Sequence, residues 1–255
     1  MGILNITPDS FFTGSRVTTE TEILRKAEKM LLEGATFLDV GGYSSRPGAV
    51  DISMEEENSR VLTAIKSIVQ KFPEAFISVD TFRAEVARNA VGEGACIIND
   101  ISAGSLDAGM FETVAALKVP YIAMHMRGNP QTMNGLTHYQ NLIGEIVDYF
   151  IEKTNQLKSL GVNDIIIDPG FGFAKTIDQN FELLAHLDYF KNLNRPVLAG
   201  LSRKSMIWKT LGTTPEEALS GTTALNMTAL LKGADILRVH DVKEAVQVVK
   251  LFSRL

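Results

Sequence analysis

Cysteine is almost missing from this 255-residue chain: Cys96 stands alone, which excludes an internal disulfide and any Cys-x-x-Cys structural zinc pair. Positive charge is not in excess either, because 25 Lys and Arg face 30 Asp and Glu for a net charge of −5. The basic face that nucleic acid or an anionic membrane selects is therefore not expected, and neither partner is. No stretch reaches the ~20 consecutive apolar residues of a membrane span. The opening residues lack a basic segment and an apolar run of adequate length, so no secretory leader is expected and the cytoplasm fits best. A linker-like change of composition, a low-complexity tract and a sustained heptad are also wanting, which points to one domain over 1–255. What remains is an ordinary folded chain, with 45% apolar and 22% charged residues.

Short apolar runs rich in Val, Ile and Leu recur at 2–5, 36–40, 75–79, 96–99, 120–124, 164–167, 196–199 and 235–239. None alternates cleanly between apolar and polar, so they read as parallel strands covered on both faces. Amphipathic stretches separate them. Thr19 with Glu22, Ser53 with Glu56 and Asp241 with Glu244 have the spacing of helix caps, and Gly34 stands where a left-handed C-cap residue belongs. Thr214-Pro215-Glu216-Glu217 predicts a helix start with proline in its first turn. Eight such units in about 250 residues predict an α/β fold, a single (β/α)8 TIM barrel with its site at the C-terminal ends of the strands. A doubly wound sheet needs a glycine-rich phosphate turn after its first strand, and Thr7-Pro8-Asp9 follows here instead. The one lookalike, Gly170-Phe171-Gly172-Phe173-Ala174-Lys175, ends in lysine where a third glycine belongs. With a strand beginning at Gly2, residues that would close the bottom of the barrel are expected to be missing.

The barrel reading brings the residues after each run to one mouth: Asn5, Arg46, Asp80, Asn99, Asp100, His125, Asp168, Lys204, Arg238 and His240. Several have ordinary explanations. Asp241 is better read as a helix cap, Asp100 divides evenly between a turn onto backbone amides and a ligand role, and Asp39 reads as a structural carboxylate. His125 fits a satisfied core histidine. Arg238 and His240, two residues apart, share one face of a strand end. Carboxylates with Asn99 suit a flat nitrogen heterocycle carrying adjacent N–H donors. Arg46, Lys204, Arg238 and His240 suit an anion such as phosphate or carboxylate. Phe11, Pro47, Met124 and Phe173 can sandwich planar rings. No His/carboxylate set with zinc-ligand spacing is present.

The same residues resemble a known family. Gly2-Ile3-Leu4-Asn5-Ile6-Thr7-Pro8-Asp9-Ser10-Phe11 and Gly41-Gly42-Tyr43-Ser44-Ser45-Arg46-Pro47-Gly48-Ala49 resemble the two signatures of the dihydropteroate synthases. The likeness continues through Ser78-Val79-Asp80-Thr81, Ile98-Asn99-Asp100, Met124-His125-Met126-Arg127-Gly128, Asp168-Pro169-Gly170, Ser202-Arg203-Lys204-Ser205 and Arg238-Val239-His240. It implies condensation of 6-hydroxymethyl-7,8-dihydropterin diphosphate with 4-aminobenzoate, giving 7,8-dihydropteroate and diphosphate for folate synthesis. By that resemblance Asp80, Asn99, Met124, Asp168, Phe173 and Lys204 hold the pterin, with Asp80, Asp168 and Lys204 carrying the catalysis. Asn5, Arg46, Arg238 and His240 surround the diphosphate, Asn5 also meeting Mg²⁺ as cofactor. Phe11, Pro47 and Ser205 hold the aminobenzoate. The partners implied are these small molecules and a second copy of the chain as a homodimer.

Three positions depart from the family pattern. Thr13 stands where an aspartate is usual, Tyr43 replaces a common glutamate and Ser45 a common threonine. Thr13 puts closure of the first loop, and so turnover, in question more than pterin binding. Two other readings share the pocket: a pterin-binding methyltransferase domain, against which the Ser202–Ser205 and Arg238–His240 motifs speak, and a non-catalytic pterin-binding homologue. A lysine Schiff-base aldolase would need a depressed Lys204 pKa.

Overall fold

The computed structural model describes residues 1–6, 16–44 and 51–255. Eight strands follow the apolar runs: β1 (Gly2–Asn5), β2 (Phe37–Gly41), β3 (Phe76–Asp80), β4 (Ile97–Asp100), β5 (Tyr121–Met124), β6 (Ile165–Asp168), β7 (Leu198–Ala199) and β8 (Ile236–Leu237). The helices described are α1 (Arg16–Leu32), α2 (Met54–Lys71), α3 (Ala84–Gly92), α4 (Met110–Leu117), α5 (Leu142–Ser159), α6 (Ile177–Ala185), α7 (Ser205–Leu211), α8 (Leu219–Leu231) and α9 (Val242–Phe252).

β1 to β6 pair in sequence order, all parallel, and β7 pairs with β8. Two parallel bridges complete the circuit, Ile167 to Val197 and Gly2 to Val239. The second is drawn tight by Ile3 N–H to the Val239 carbonyl at 2.9 Å, Val239 N–H to the Met1 carbonyl at 2.9 Å and the Met1 amine to the Leu237 carbonyl at 2.9 Å. A closed barrel has no strand edge left to protect.

Between strands and helices lies a continuous apolar layer that includes Leu4, Val40, Ile65, Ile68, Val79, Ile98, Phe150, Phe190 and Val239. A second, smaller cluster fills the lower interior of the barrel: Ile97, Ile122 and Leu198, with Phe37, Ile166 and Ile236 against them. Successive strand residues alternate faces, so this plug and the outer layer use opposite sides of the same strands.

Local signals explain most helix ends. Ser53 caps α2 through its Oγ, which accepts from Glu56 N–H at 3.2 Å, and three glutamates of the first turn face the positive end of the helix dipole. Gly34 takes φ +98°, the left-handed stop expected after α1. Two expectations fail. α1 begins at Arg16, three residues before the Thr19 cap, so Thr19 lies inside the helix. Thr214–Pro215 opens no helix: residues 215–218 form a turn, closed by Glu217 N–H to Thr214 at 3.2 Å, and α8 starts at Leu219.

Candidate active site

Two residues beyond the plug, each of its six strands places a residue in the mouth. Phe37 leads to Asp39, Ile97 to Asn99, Ile122 to Met124, Ile166 to Asp168, Leu198 to Gly200 and Ile236 to Arg238. The period of two puts plug and mouth residues on the same inner face. Strand register then sets neighbours around the rim: Asn5 lies across from Gly41, Gly41 from Asp80, Asp80 from Asn99, and Met124 from Asp168.

Arg238 is the hub. Its Nε donates to Asp39 Oδ2 at 2.6 Å and its Nη2 to Asp80 Oδ2 at 2.5 Å, while Asn99 Nδ2 donates to the same Asp39 oxygen at 3.0 Å. With its amide nitrogen directed at Asp39, the Asn99 side chain has its carbonyl oxygen as the acceptor left for a ligand. One guanidinium thus serves two carboxylates. Burial and the neighbouring Asp39 charge raise Asp80 above the usual carboxylate range, and Arg238 only partly offsets them. Gly41 belongs to this arrangement by its size, since a Cβ there would stand 3.3 Å from Asp80 Cβ.

Across the mouth, Asp168 Oδ1 accepts from Gly170 N–H at 2.8 Å. Burial raises its pKa, opposed chiefly by Lys204. Lys204 donates to the Phe171 carbonyl and its Nζ lies 4.8 Å from the centre of the Phe173 ring, a cation–π contact. Burial lowers its pKa to about 8, against the pull of Asp168. Gly200 sits between these groups: a Cβ on it would be 3.9 Å from Lys204 Nζ and 4.0 Å from Asp168 Oδ2. Met124 and Phe173 share an apolar rim cluster with Ile101, Met126, Met133, Ala174 and Phe82. The mouth therefore combines acceptors, cations and an apolar wall around one opening.

The remaining expected residues stand at or near the rim. Asn5 ends β1, half-buried. His240 Nδ1 lies 3.0 Å from Ser202 Oγ, and that oxygen also accepts His240 N–H at 3.1 Å. Ser205 opens α7, directly after Lys204. Phe11, Thr13, Ser45, Arg46 and Pro47 lie outside the described residues. Among the described residues no group of three or more His, Cys, Asp or Glu gathers as a metal cage.

The structure settles two ambiguous aspartates. Asp100 turns onto the protein itself: it accepts from Ser102 N–H at 2.7 Å, Ser102 Oγ at 2.7 Å, Gly104 N–H at 2.8 Å and the Tyr121 hydroxyl at 2.6 Å. Asp241 occupies the cap position of α9 without a side-chain cap bond. Its carboxylate instead takes Arg203 at 2.8 and 2.7 Å, while Arg203 also holds the Pro215 and Glu216 carbonyls at 3.0 Å each. In the Ser202-Arg203-Lys204-Ser205 motif the arginine thus rivets the loop and the lysine faces the mouth.

Sequence reasoning undervalued two residues. Asp39 is hydrogen-bonded, as expected of a structural carboxylate, but it is also the anchor of Arg238 and Asn99, and its Oδ1 is buried with no partner among the described residues. Its place two residues before Gly41 on an inward face was the available signal. Lys175, noted only for ending a false glycine motif, is buried within the loop that follows β6.

Comparisons with known proteins agree with this geometry. Residues 1–240 match the family model for the pterin binding enzymes. The chain is 44% identical over 253 residues to dihydropteroate synthase of Escherichia coli K12, covering 98% of this chain and 89% of that protein. Among solved structures, Xanthomonas albilineans dihydropteroate synthase with 4-aminobenzoic acid superimposes with a TM-score of 0.93 at 40% identity, covering 100% of this chain and 91% of that one. The same enzyme in complex with 7,8-dihydropteroate gives a TM-score of 0.89 at 37% identity, with 100% and 92% covered.

Proposed function

The chain belongs to the pterin binding enzyme family, and on that premise we propose how its barrel mouth carries out the reaction. That reaction is the dihydropteroate synthase reaction of folate synthesis, a transferase step. The C–O bond between the pterin methylene and diphosphate breaks, a C–N bond to 4-aminobenzoate forms, and 7,8-dihydropteroate, diphosphate and a proton leave. The observation that carries the assignment of roles is the convergence of Asp80, Asn99, Asp168, Lys204 and Arg238 on one opening.

Asp168 accepts from the adjacent N–H donors of the pterin, a charged pairing worth about 1.5–3 kcal/mol per bond. Asn99 adds its carbonyl oxygen, and Met124 and Phe173 wall the ring. Positive charge develops on the pterin methylene as diphosphate departs. A carboxylate that burial makes reluctant to ionise, as at Asp80, gains most when a cation forms beside it. Lys204 orients the ring opposite Asp168. Arg238 gives two of its five N–H donors to Asp39 and Asp80, which leaves capacity for the diphosphate together with His240, Arg46 and Asn5. Phe11, Pro47 and Ser205 hold the aminobenzoate.

Mg²⁺ fits this donor set in one mode. The ion would keep several waters and be held through the substrate phosphates together with the amide oxygen of Asn5, since no carboxylate cage gathers among the described residues. Held there by Asn5, it would supply positive charge against the leaving diphosphate. Residues 1–255 act as one unit, a cytoplasmic homodimer in this reading, and sedimentation as a monomer in ultracentrifugation would contradict the dimer.

Diphosphate release is the decisive assay. It is expected only when both the pterin diphosphate and 4-aminobenzoate are present, with dihydropteroate formed in equal amount. No release from the mixture would leave a pterin-binding protein without this catalysis.

A further inference from the structure

We propose that Lys175 is a positioning residue for the pterin pocket, its ammonium group pinning the loop between β6 and α6 so that Asp168 and Phe173 present themselves together to the ring. The proposal rests on the pterin reading of the mouth given above and adds a residue to it.

The geometry is closed on all sides. Lys175 Nζ donates to the Gly170 carbonyl at 3.0 Å and the Phe173 carbonyl at 3.1 Å, and lies 3.1 Å from His125 Nδ1. An ammonium has three donors and no acceptor, so all three are engaged when His125 is neutral and accepts. Burial, with Lys175 and Arg127 adding to it, holds His125 well below its ordinary pKa and keeps it in that neutral form.

The two bonds to carbonyls act on residues of the pocket. Gly170 N–H holds Asp168 Oδ1, and the Gly170 carbonyl is held by Lys175, so the ammonium fixes the pivot that aims the carboxylate. That pivot has φ +74°, and a Cβ on it would fall 2.0 Å from the His125 carbonyl oxygen. Only glycine fits there, and glycine is loose unless its peptide groups are held. Holding the Phe173 carbonyl fixes in turn the backbone that carries the ring beneath Lys204. Gly172 N–H to Asn180 Oδ1 at 2.6 Å and the Tyr139 hydroxyl to the Ala174 carbonyl at 3.0 Å hold the loop's outer side, and the Gly170 carbonyl takes one further donor from within the loop, Phe173 N–H at 3.1 Å, so Lys175 is the side chain that ties this turn to the residues around it.

The charge of this peg is itself conditional. Burial lowers the Lys175 pKa to about 7, with Asp168 opposing the shift and Lys204 and Arg127 adding to it. The charged and titratable groups facing it are therefore Asp168 from β6, His125 and Arg127 beyond β5, and Lys204 beyond β7. Pterin N–H donors hold Asp168 ionised, and an ionised Asp168 favours the ammonium, so pterin and the Lys175 proton bind with mutual support. Pterin affinity then falls as pH rises through about 7. Protonation of Asp168 weakens binding in the opposite direction, as pH falls, so the two effects separate by sign.

The test is calorimetry with 6-hydroxymethyl-7,8-dihydropterin, the alcohol lacking diphosphate, across the neutral range, with the ligand's own titration recorded separately by absorbance. Wild-type protein is expected to lose roughly tenfold in affinity above neutrality, the loss that matches a one-unit rise of a pKa on binding. Lys175→Met removes the donor of the Phe173 carbonyl and leaves the Gly170 carbonyl with Phe173 N–H alone, and it is expected to bind roughly tenfold more weakly, without the step through about 7. Lys175→Gln keeps an amide donor and much of the loop, so it is expected to bind better than Lys175→Met and to lack the step through about 7, keeping only the later loss through about 8 that belongs to Lys204. A flat wild-type profile, or the same alkaline step in Lys175→Gln, would overturn the proposal. Wild-type protein that binds no pterin at any pH would instead bring down the pocket reading, and this proposal with it.

Discussion

The lower and upper halves of the barrel interior are built from the same strands, two residues apart, and are opposite in character. Below, Phe37, Ile97, Ile122, Ile166, Leu198 and Ile236 fill space with apolar side chains. Above, Asp39, Asn99, Met124, Asp168, Gly200 and Arg238 gather charge, an amide, a thioether and an empty position. Burial stabilises the first set and costs the second, because every charge in the mouth has given up water. In the proposed function the ligand offsets that cost, while the plug supplies stability to the same strands.

Breaking the plug should therefore affect the fold. Ile122 is fully buried at the centre of the lower interior, so Ile122→Ala is expected to destabilise the protein by about 2–5 kcal/mol. Urea unfolding measures this, and pterin affinity of the folded fraction should hold, since Met124 and not Ile122 reaches the mouth.

A smaller effect sharpens the contrast within one strand. Asn99 and Asp100 are neighbours on opposite faces of β4, one facing the mouth and the other saturated by its own chain. Asp100→Asn replaces one of two saturated acceptor oxygens with an amide donor, which then faces either Ser102 N–H or Gly104 N–H. It is expected to cost about 1–3 kcal/mol of stability in the same unfolding experiment, with little change in pterin affinity.

The comparison also shows what could be read from the sequence. All eight strands were visible as apolar runs, because strands buried on both faces need apolar side chains on both. Strand ends located Asp80, Asn99, Asp168, Lys204 and Arg238 because a barrel puts its chemistry there. Helix starts were less legible: Thr19 and Thr214 have capping chemistry, but tertiary context begins α1 earlier and leaves Pro215 in a turn. Asp39 was discounted for lying inside a strand, although that is what places it beneath Arg238. Asp241 and Asp100 show the converse, since a carboxylate's partner can come from far along the chain, as Arg203 does, or from the next turn. Lys175 gave no signal because its partners are two backbone carbonyls and a histidine fifty residues away.

The central claim is that the mouth is arranged for a ligand and not for the fold, and Asp168→Asn tests it most directly. An amide cannot accept from two adjacent N–H donors and sets an N–H against one of them. Calorimetry should show affinity for 6-hydroxymethyl-7,8-dihydropterin falling by about thirtyfold or more, equivalent to at least about 2 kcal/mol. Unfolding of the same variant should lie within about 1 kcal/mol of wild type, because neutralising a buried carboxylate relieves its desolvation. Unchanged pterin affinity with a large loss of stability would make Asp168 a residue of the fold and contradict the account.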